Sequence, residues 1–284
     1  MGAGSWGRAF AGLLGERGHE VALLGRERDP DAVAAAEFVC VAVPSRVFAE
    51  VVRSLPGAAP IVVLTKGLDP AGGDRLSQVV RDRPVVVLSG PNHAEEIAAG
   101  LPALAVVASE DEALAERARE AFMSPRFRVY VNPDLVGVEL CAAAKNVIAL
   151  AAGAVDGLAL GDNAKAALVT RGLAEMTRLG GASGARAETF AGLAGLGDLV
   201  VTCWSRHSRN RRAGELVAQG ATADEAVTMI GMAVEGVTTA PVLAALGRRL
   251  GVELPITQAV CDVLAGTSPL DLVTNLMGRE PTEE

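Results

Sequence analysis

Short Val-rich apolar runs, separated by mixed segments of helix length, fill the first half of the chain. Val21–Leu24, Glu37–Val43 (closed by Pro44), Pro60–Thr65, Pro84–Leu88, Ala103–Ala108 and Arg128–Val131 read as strands. Continuous apolar runs of this kind suit strands covered on both faces, as in a mostly parallel sheet. The segments between them, such as Arg8–Arg17 and Glu110–Phe122, mix polar and apolar positions at helix length, so strands and helices should alternate. After Asn132-Pro133 the texture changes. Glu139–Val155, Asn163–Leu179, Arg209–Gln219, Thr222–Met232 and Val237–Leu250 carry the period of helices, and no Val-rich run interrupts them. Thr222, with Glu225 three positions on, has the form of a capping box. The pattern predicts an α/β domain over residues 1–132 and an all-α domain over residues 133–284, with a frayed polar tail at Arg279–Glu284.

Composition narrows what such a chain does. Its 284 residues are enough to bury a substantial core. Half of them are hydrophobic (50%), yet no uninterrupted apolar run of about 18 residues appears, so no membrane span is expected. No basic-then-apolar leader opens the chain, which argues against secretion. A net charge of −8 argues against nonspecific nucleic-acid binding. The four cysteines (Cys40, Cys141, Cys203, Cys261) and three histidines are scattered without metal-ligand spacing. No metal is expected, and the compartment reads as reducing cytoplasm.

Candidate chemistry begins at the first residues. Gly2, Gly4 and Gly7 spell G-x-G-x-x-G ahead of a helical segment. In a dinucleotide-binding turn these glycines give a tight bend, close backbone approach to a pyrophosphate, and close helix–strand packing. The helix N-terminus then faces the phosphates. Only Met1 precedes the motif, so the strand such a turn should follow is missing. The end of the next strand carries Gly25-Arg26-Glu27-Arg28. Its arginines suit the 2′-phosphate of NADP, Glu27 suits the ribose of NAD, and a solvated turn is the plainer alternative.

Later strand ends carry Val43-Pro44-Ser45, Thr65-Lys66-Gly67 and Ser89-Gly90-Pro91-Asn92-His93, where ligands of parallel sheets sit. Lys66 there is either a ligand-facing cation or a surface lysine with a buried stem. His93 is either a general base or a structural helix-start residue. Lys145 sits among alanines and aliphatics, where desolvation lowers a lysine pKa into a useful acid/base range; a solvated helix edge is the alternative. Arg206, Arg209, Arg211 and Arg212, with Ser208 and Asn210 interleaved at a helix start, form either a basic turn or an anion site. In an acidic protein the anion site points to a phosphorylated small molecule.

Together these pieces resemble the bacterial NAD(P)-dependent glycerol-3-phosphate dehydrogenase family. The resemblance is carried, in order, by GAGSWG (2–7), VAVPS (41–45), TKG (65–67), SGPNHAEE (89–96), AAAKN (142–146), GLGDLVVTC (195–203), SRNRR (208–212) and EGV (235–237). It implies a Rossmann-type dinucleotide-binding domain followed by an all-α domain of the 6-phosphogluconate-dehydrogenase type. It implies reversible hydride transfer between NAD(P)H and dihydroxyacetone phosphate. Lys145 is then the proton donor and acceptor, with Lys66 and Asp198 completing the catalytic site. Gly90, Asn92, Ser208, Arg209 and Asn210 would surround the substrate with them. Gly2, Gly4, Ser5, Trp6, Gly7, Arg26, Lys66, Ala94, Arg209, Ala233 and Glu235 would surround NADP or NAD. Three features depart from the family: the absent first strand, a shortened stretch from Arg26 to Pro44, and Asn92 in place of a small serine. Two other readings stay open. One is a related two-domain enzyme such as a β-hydroxyacid dehydrogenase, and the other is a truncated nucleotide-binding protein without activity. A homodimer is compatible with all of them, and the sequence leaves the oligomeric state open.

Overall fold

A computed structural model describes residues 1–27, 29–271 and 273. Arg28 and the tail Arg279–Glu284 lie outside the described residues. Strands β1 (Val39–Val41), β2 (Ile61–Val63), β3 (Val85–Ser89), β4 (Ala103–Ala108) and β5 (Phe127–Val131) form one sheet in the order β1-β2-β3-β4-β5. All neighbours pair in parallel except β3 with β4. Helices α1 (Ser5–Glu16), α2 (Pro30–Ala34), α3 (Ser45–Arg53), α4 (Leu76–Val79), α5 (Ala94–Ala98) and α6 (Glu112–Phe122) belong to the same half. Alternation along the strands divides the core. Ile61, Val63 and Val87 join Phe48 and Val52 of α3 on one face. Val62, Leu64, Val86 and Leu88 meet Phe10 of α1 and Phe122 of α6 on the other.

The run Val21–Leu24, read above as a strand, is not one. It is extended but belongs to no sheet, and Val21 and Leu23 are exposed. The physical reason lies at its neighbour. Met1 donates from its amine to the Cys40 carbonyl (2.6 Å) and accepts from the Ala42 amide (2.8 Å), while the Gly2 amide reaches the Leu24 carbonyl (2.9 Å). Met1 and Gly2 thus connect the edge of β1 to a single point of the 21–24 segment, and the rest of that segment has no ladder to join. A groove of about 620 Å³, lined by Phe10, Leu14, Val21, Leu23, Val39 and Cys40 among others, runs along the gap. Placing a Val-rich strand of about five residues ahead of Gly2 is expected to fill it. The thermal midpoint should rise by roughly 5 °C, since ~1 kcal/mol moves it by ~2–4 °C at this chain length. NADPH should bind more tightly because the glycine turn gains a backing. Thermal melts and NADPH titrations of both versions check this, and unchanged values for both would mean the sheet edge is already closed.

The second half is helical: α7 (Leu135–Gly157), α8 (Gly161–Ala182), α9 (Ala187–Ala191), α10 (Asp198–Trp204), α11 (Arg209–Ala218), α12 (Ala223–Ile230), α13 (Glu235–Leu250) and α14 (Pro255–Leu264). Thr222 and Glu225 form the predicted capping box at the start of α12. A π-helical turn, Leu193–Gly197, leads directly into α10. By length and hydropathy α7 is apolar enough to cross a membrane, but 89% of its most apolar window is buried among the other helices. It is the core of this half. Where α7 crosses α11, the backbones touch. A Cβ on Gly153 would lie 1.8 Å from the Arg211 carbonyl oxygen, and one on Gly214 would lie 1.9 Å from that of Leu150. Glu139 of α7 ties the halves together. Buried at 4% exposure, it accepts from the Ser77 amide (2.9 Å) and from Arg75 Nη1 (2.7 Å).

Candidate active site

A crevice of about 300 Å³ opens between the carboxyl ends of β1 and β2, the start of α1 and α5, the middle of α7 and the start of α11. Its lining includes Gly4, Ser5, Trp6, Lys66, Asn92, Ala94, Lys145, Ser208, Arg209, Asn210, Ala233 and Glu235. Residues scattered over most of the sequence therefore meet in one place.

The floor is a charge cluster. Asp198, 1% exposed, sits where the π-helical turn passes into α10. Lys145 Nζ donates to its Oδ1 (2.5 Å) and to Thr202 Oγ1 (2.8 Å). Lys66 Nζ donates to Asp198 Oδ2 (2.9 Å), the Gly90 carbonyl (2.9 Å) and Asn92 Oδ1 (2.8 Å). One carboxylate thus serves two ammonium groups. Burial works to raise the Asp198 pKa, but Lys145, Lys66 and their hydrogen bonds outweigh it and hold the carboxyl below its ordinary value. Burial pushes Lys145 the other way, down to about 7, with Asp198 opposing and Lys66 reinforcing the drop. At 4% exposure Lys145 has the desolvated setting rather than the solvated helix edge. It is a group that gains and loses a proton near neutrality.

Around this floor runs a scaffold of side-chain amides. Asn146 Nδ2 donates to the Lys66 carbonyl (2.8 Å), and its Oδ1 accepts from Asn210 Nδ2 (2.8 Å). Asn210 Oδ1 in turn accepts from the Gly236 amide (2.9 Å). Three segments distant in sequence are thereby locked around Lys145. His93 stands at the N-cap of α5, where its side chain makes no capping hydrogen bond, and lines the crevice. Its pKa is lowered by burial and then by Lys145 and Lys66.

The dinucleotide side also takes shape. Gly2 has φ +101°, and a Cβ on Gly7 would strike the Gly2 carbonyl oxygen at 1.8 Å, so the turn packs as the motif requires. The amino end of α1 opens on the crevice at Gly4 and Ser5. Trp6 Nε1, Ser45 Oγ and Glu235 Oε2 are buried there with no hydrogen-bond partner in the protein. Glu235 Oε1 accepts from the Ser45 amide (3.1 Å), and burial raises its pKa. Unpaired buried polar atoms are costly, and a polar ligand such as a dinucleotide satisfies them. Arg26 lies apart, exposed on the turn after Leu24 and outside this crevice.

One grouping changes. The four arginines between 206 and 212 do not converge on one anion. Arg206 lies in the turn before α11, and because a helix turns about 100° per residue Arg209, Arg211 and Arg212 fan out from its start. Arg209 alone of them lines the crevice, donating to the Ala233 carbonyl (3.0 Å). Arg211 is paired with Asp156 (2.6 Å) and Arg212 with Glu215 (2.9 Å). Arg206 borders a separate apolar groove. Ser208 Oγ caps α11 by accepting from the Arg211 amide (3.2 Å). Roles for Asn146, Thr202 and Ser45 had not been read from the sequence. Asn146 had a signal, since a buried amide beside Lys145 in an apolar helix needs partners. Thr202 had one too, four residues after Asp198 on one helix face.

A glycine turn at a helix start, orphan polar atoms beside it and a buried lysine–carboxylate pair facing them from a helical domain define a two-domain dinucleotide-dependent dehydrogenase. Comparison narrows the class. Family models described as NAD-dependent glycerol-3-phosphate dehydrogenase N-terminus and C-terminus match residues 28–115 and 134–275. Glycerol-3-phosphate dehydrogenase [NAD(P)+] of Desulfitobacterium hafniense (strain Y51) is 44% identical over 321 aligned positions, covering 100% of this chain and 91% of that protein. The protein of the same name from Geobacillus kaustophilus (strain HTA426) is 44% identical over 326 positions, covering 100% and 95%. The crystal structure of glycerol-3-phosphate dehydrogenase from Coxiella burnetii superposes with a TM-score of 0.91 at 38% identity, covering 98% of this chain and 97% of that one. The chain belongs to the NAD(P)-dependent glycerol-3-phosphate dehydrogenase family, and is an oxidoreductase that uses NAD or NADP. The aligned lengths exceed its 284 residues, so each alignment leaves gaps in this chain.

Proposed function

We propose that the crevice catalyses reversible hydride transfer between NAD(P)H and C2 of dihydroxyacetone phosphate, giving sn-glycerol 3-phosphate, a phospholipid precursor. The observation that carries this is the Lys145 ammonium, buried against Asp198 yet lining the same 300 Å³ crevice as Arg209 and the glycine turn. Residues 1–132 hold the dinucleotide, and the helical residues 133–284 bring the substrate groups. Gly2, Gly4, Ser5, Trp6, Gly7, Ala94, Ala233 and Glu235 would hold the cofactor, with Arg26 at the adenosine end. When bound, the nicotinamide supplies the hydride. Lys145 polarises the C2 carbonyl and gives its proton to the oxygen as charge builds there. Asp198 and Thr202 aim the Lys145 ammonium, while Lys66 holds the Gly90–Asn92 loop against the same carboxylate. Arg209 and Ser208 meet the phosphate, and Asn210 keeps their helix start in register with Lys145. The reducing cytoplasm suits four cysteines that form no disulfide. A homodimer is the proposed assembly, which sedimentation at micromolar concentration checks.

Following NADPH oxidation with dihydroxyacetone phosphate, beside unphosphorylated dihydroxyacetone, tests the proposal. Turnover of neither compound would overturn it. The pH dependence has a defined sign. Ketone reduction draws on the protonated lysine, so kcat/KM for reduction is expected to fall as pH rises through about 7, the pKa to which burial lowers Lys145. Alcohol oxidation needs the neutral amine, so its kcat/KM should rise over the same interval. Profiles of both directions check it, and two parallel profiles would separate Lys145 from the proton transfer.

A further inference from the structure

Behind the crevice, at the far end of α7, lies a second charge cluster whose charged groups do not line the crevice. Asp156 accepts from Lys165 Nζ at both oxygens (3.0 and 2.8 Å) and from Arg211 Nη1 at Oδ2 (2.6 Å). The cations are the more buried partners, with side-chain exposures of 6% for Lys165, 16% for Arg211 and 25% for Asp156. Lys165 Nζ also sits 5.0 Å over the Trp204 ring. Arg211 Nε donates to the Ser205 carbonyl (3.2 Å). Asp156 therefore reaches, through two cations, both residues at the junction where α10 ends and the turn into α11 begins. That turn finishes at Ser208, whose hydroxyl caps α11, and the next residue is Arg209.

We propose that Asp156 is a positioning residue for phosphate recognition: it holds Arg211 against the Ser205 carbonyl and so fixes the turn that presents Ser208 and Arg209 to the crevice. The proposal rests on the reading that Arg209 meets the substrate phosphate. Its physical core is the charge balance. Without the Asp156 carboxylate both cations lose their shared partner, and the cheapest relief is for Arg211 to turn toward Glu215, already 3.8 Å from its Nη2. The Ser205 carbonyl then loses its donor, and the turn loses the tie that sets its height above Lys145. Lys145 itself is held by Asp198 and Thr202 and does not share these contacts, so binding of the phosphate end should suffer while proton transfer does not.

Asp156→Asn keeps the shape and removes the charge. Its KM for dihydroxyacetone phosphate is expected to rise about tenfold, the equivalent of losing most of one charge-assisted hydrogen bond. The expected kcat stays within about threefold, and kcat/KM for dihydroxyacetone is unchanged because that compound has no phosphate to misplace. Asp156→Glu should recover most of the loss. Arg211→Lys keeps an ion pair with Asp156 but cannot also hold Ser205 through a guanidinium nitrogen. It should raise KM in the same way, and it decides the matter if Asp156→Asn does not fold. A folded Asp156→Asn or Arg211→Lys protein with unchanged KM overturns the proposal, as do equal losses with both ketones. If Arg209→Ala also leaves KM unchanged, the reading of Arg209 has failed. If Arg209→Ala raises KM and these variants do not, only the role of Asp156 has.

Discussion

Lys145→Ala is expected to lower kcat about 100-fold or more while the Kd for NADPH stays within about twofold, the scale set by loss of a positioned general acid. The lysine lines the crevice, is buried, and has its pKa lowered by that burial to about 7. Asp198 keeps Lys66 as an ion-pair partner (2.9 Å), so the carboxylate is not left alone in the interior and the fold should persist. Lys145→Arg should fail almost as badly, because a guanidinium does not release its proton at these pH values. Steady-state rates beside NADPH fluorescence titrations separate chemistry from binding. Activity within a few-fold of the parent would remove Lys145 from the chemistry.

Arg209→Ala is expected to raise KM for dihydroxyacetone phosphate roughly 10- to 100-fold, corresponding to a lost charge-assisted contact of about 1.5–3 kcal/mol. Unphosphorylated dihydroxyacetone, a poor substrate throughout, should be affected much less. Equal losses for the two would mean that Arg209 does not read the phosphate. Arg209→Lys keeps the charge but not the planar pair of donors, and should fall between the two. The prediction rests on Arg209 alone of its cluster, since Arg211 and Arg212 are already paired with carboxylates.

That division among the arginines shows where sequence reasoning stopped. Spacing placed them at a helix start, but which of them faces the crevice depends on the angle at which α11 crosses α7, and that is set by tertiary packing. The Val-rich strands β2 to β4 were legible because they are covered on both faces and carry their burial in their own composition, whereas β5 alternates, with Arg128 and Tyr130 exposed. Val21–Leu24 has the same composition and forms no strand, because a strand needs a paired neighbour as well as apolar residues, and only the Gly2 amide reaches this segment, at Leu24. Lys145 stood out as a cation in apolar surroundings, and Lys66 as a cation just after a buried strand. Asn146 and Thr202 carried only the need for a partner in their sequence context, and which partner meets it shows only when the chain is folded. The glycine turn was readable from three positions, whereas the orphan atoms of Trp6, Ser45 and Glu235 that give it a ligand to hold come from three distant segments.

The crossing of α7 and α11 has a bearing on selectivity. Packed side chains can change rotamer and let two helices slide by a fraction of an ångström. Gly153 and Gly214 leave nothing to adjust, because carbonyl oxygens stand where Cβ atoms would otherwise be. The span between the ammonium on one helix and the guanidinium on the other is therefore dimensioned by peptide groups. On the proposed roles of Lys145 and Arg209 it would act as a fixed gauge for the distance between a ketone oxygen and a phosphate, calibrated by two residues that do not line the crevice.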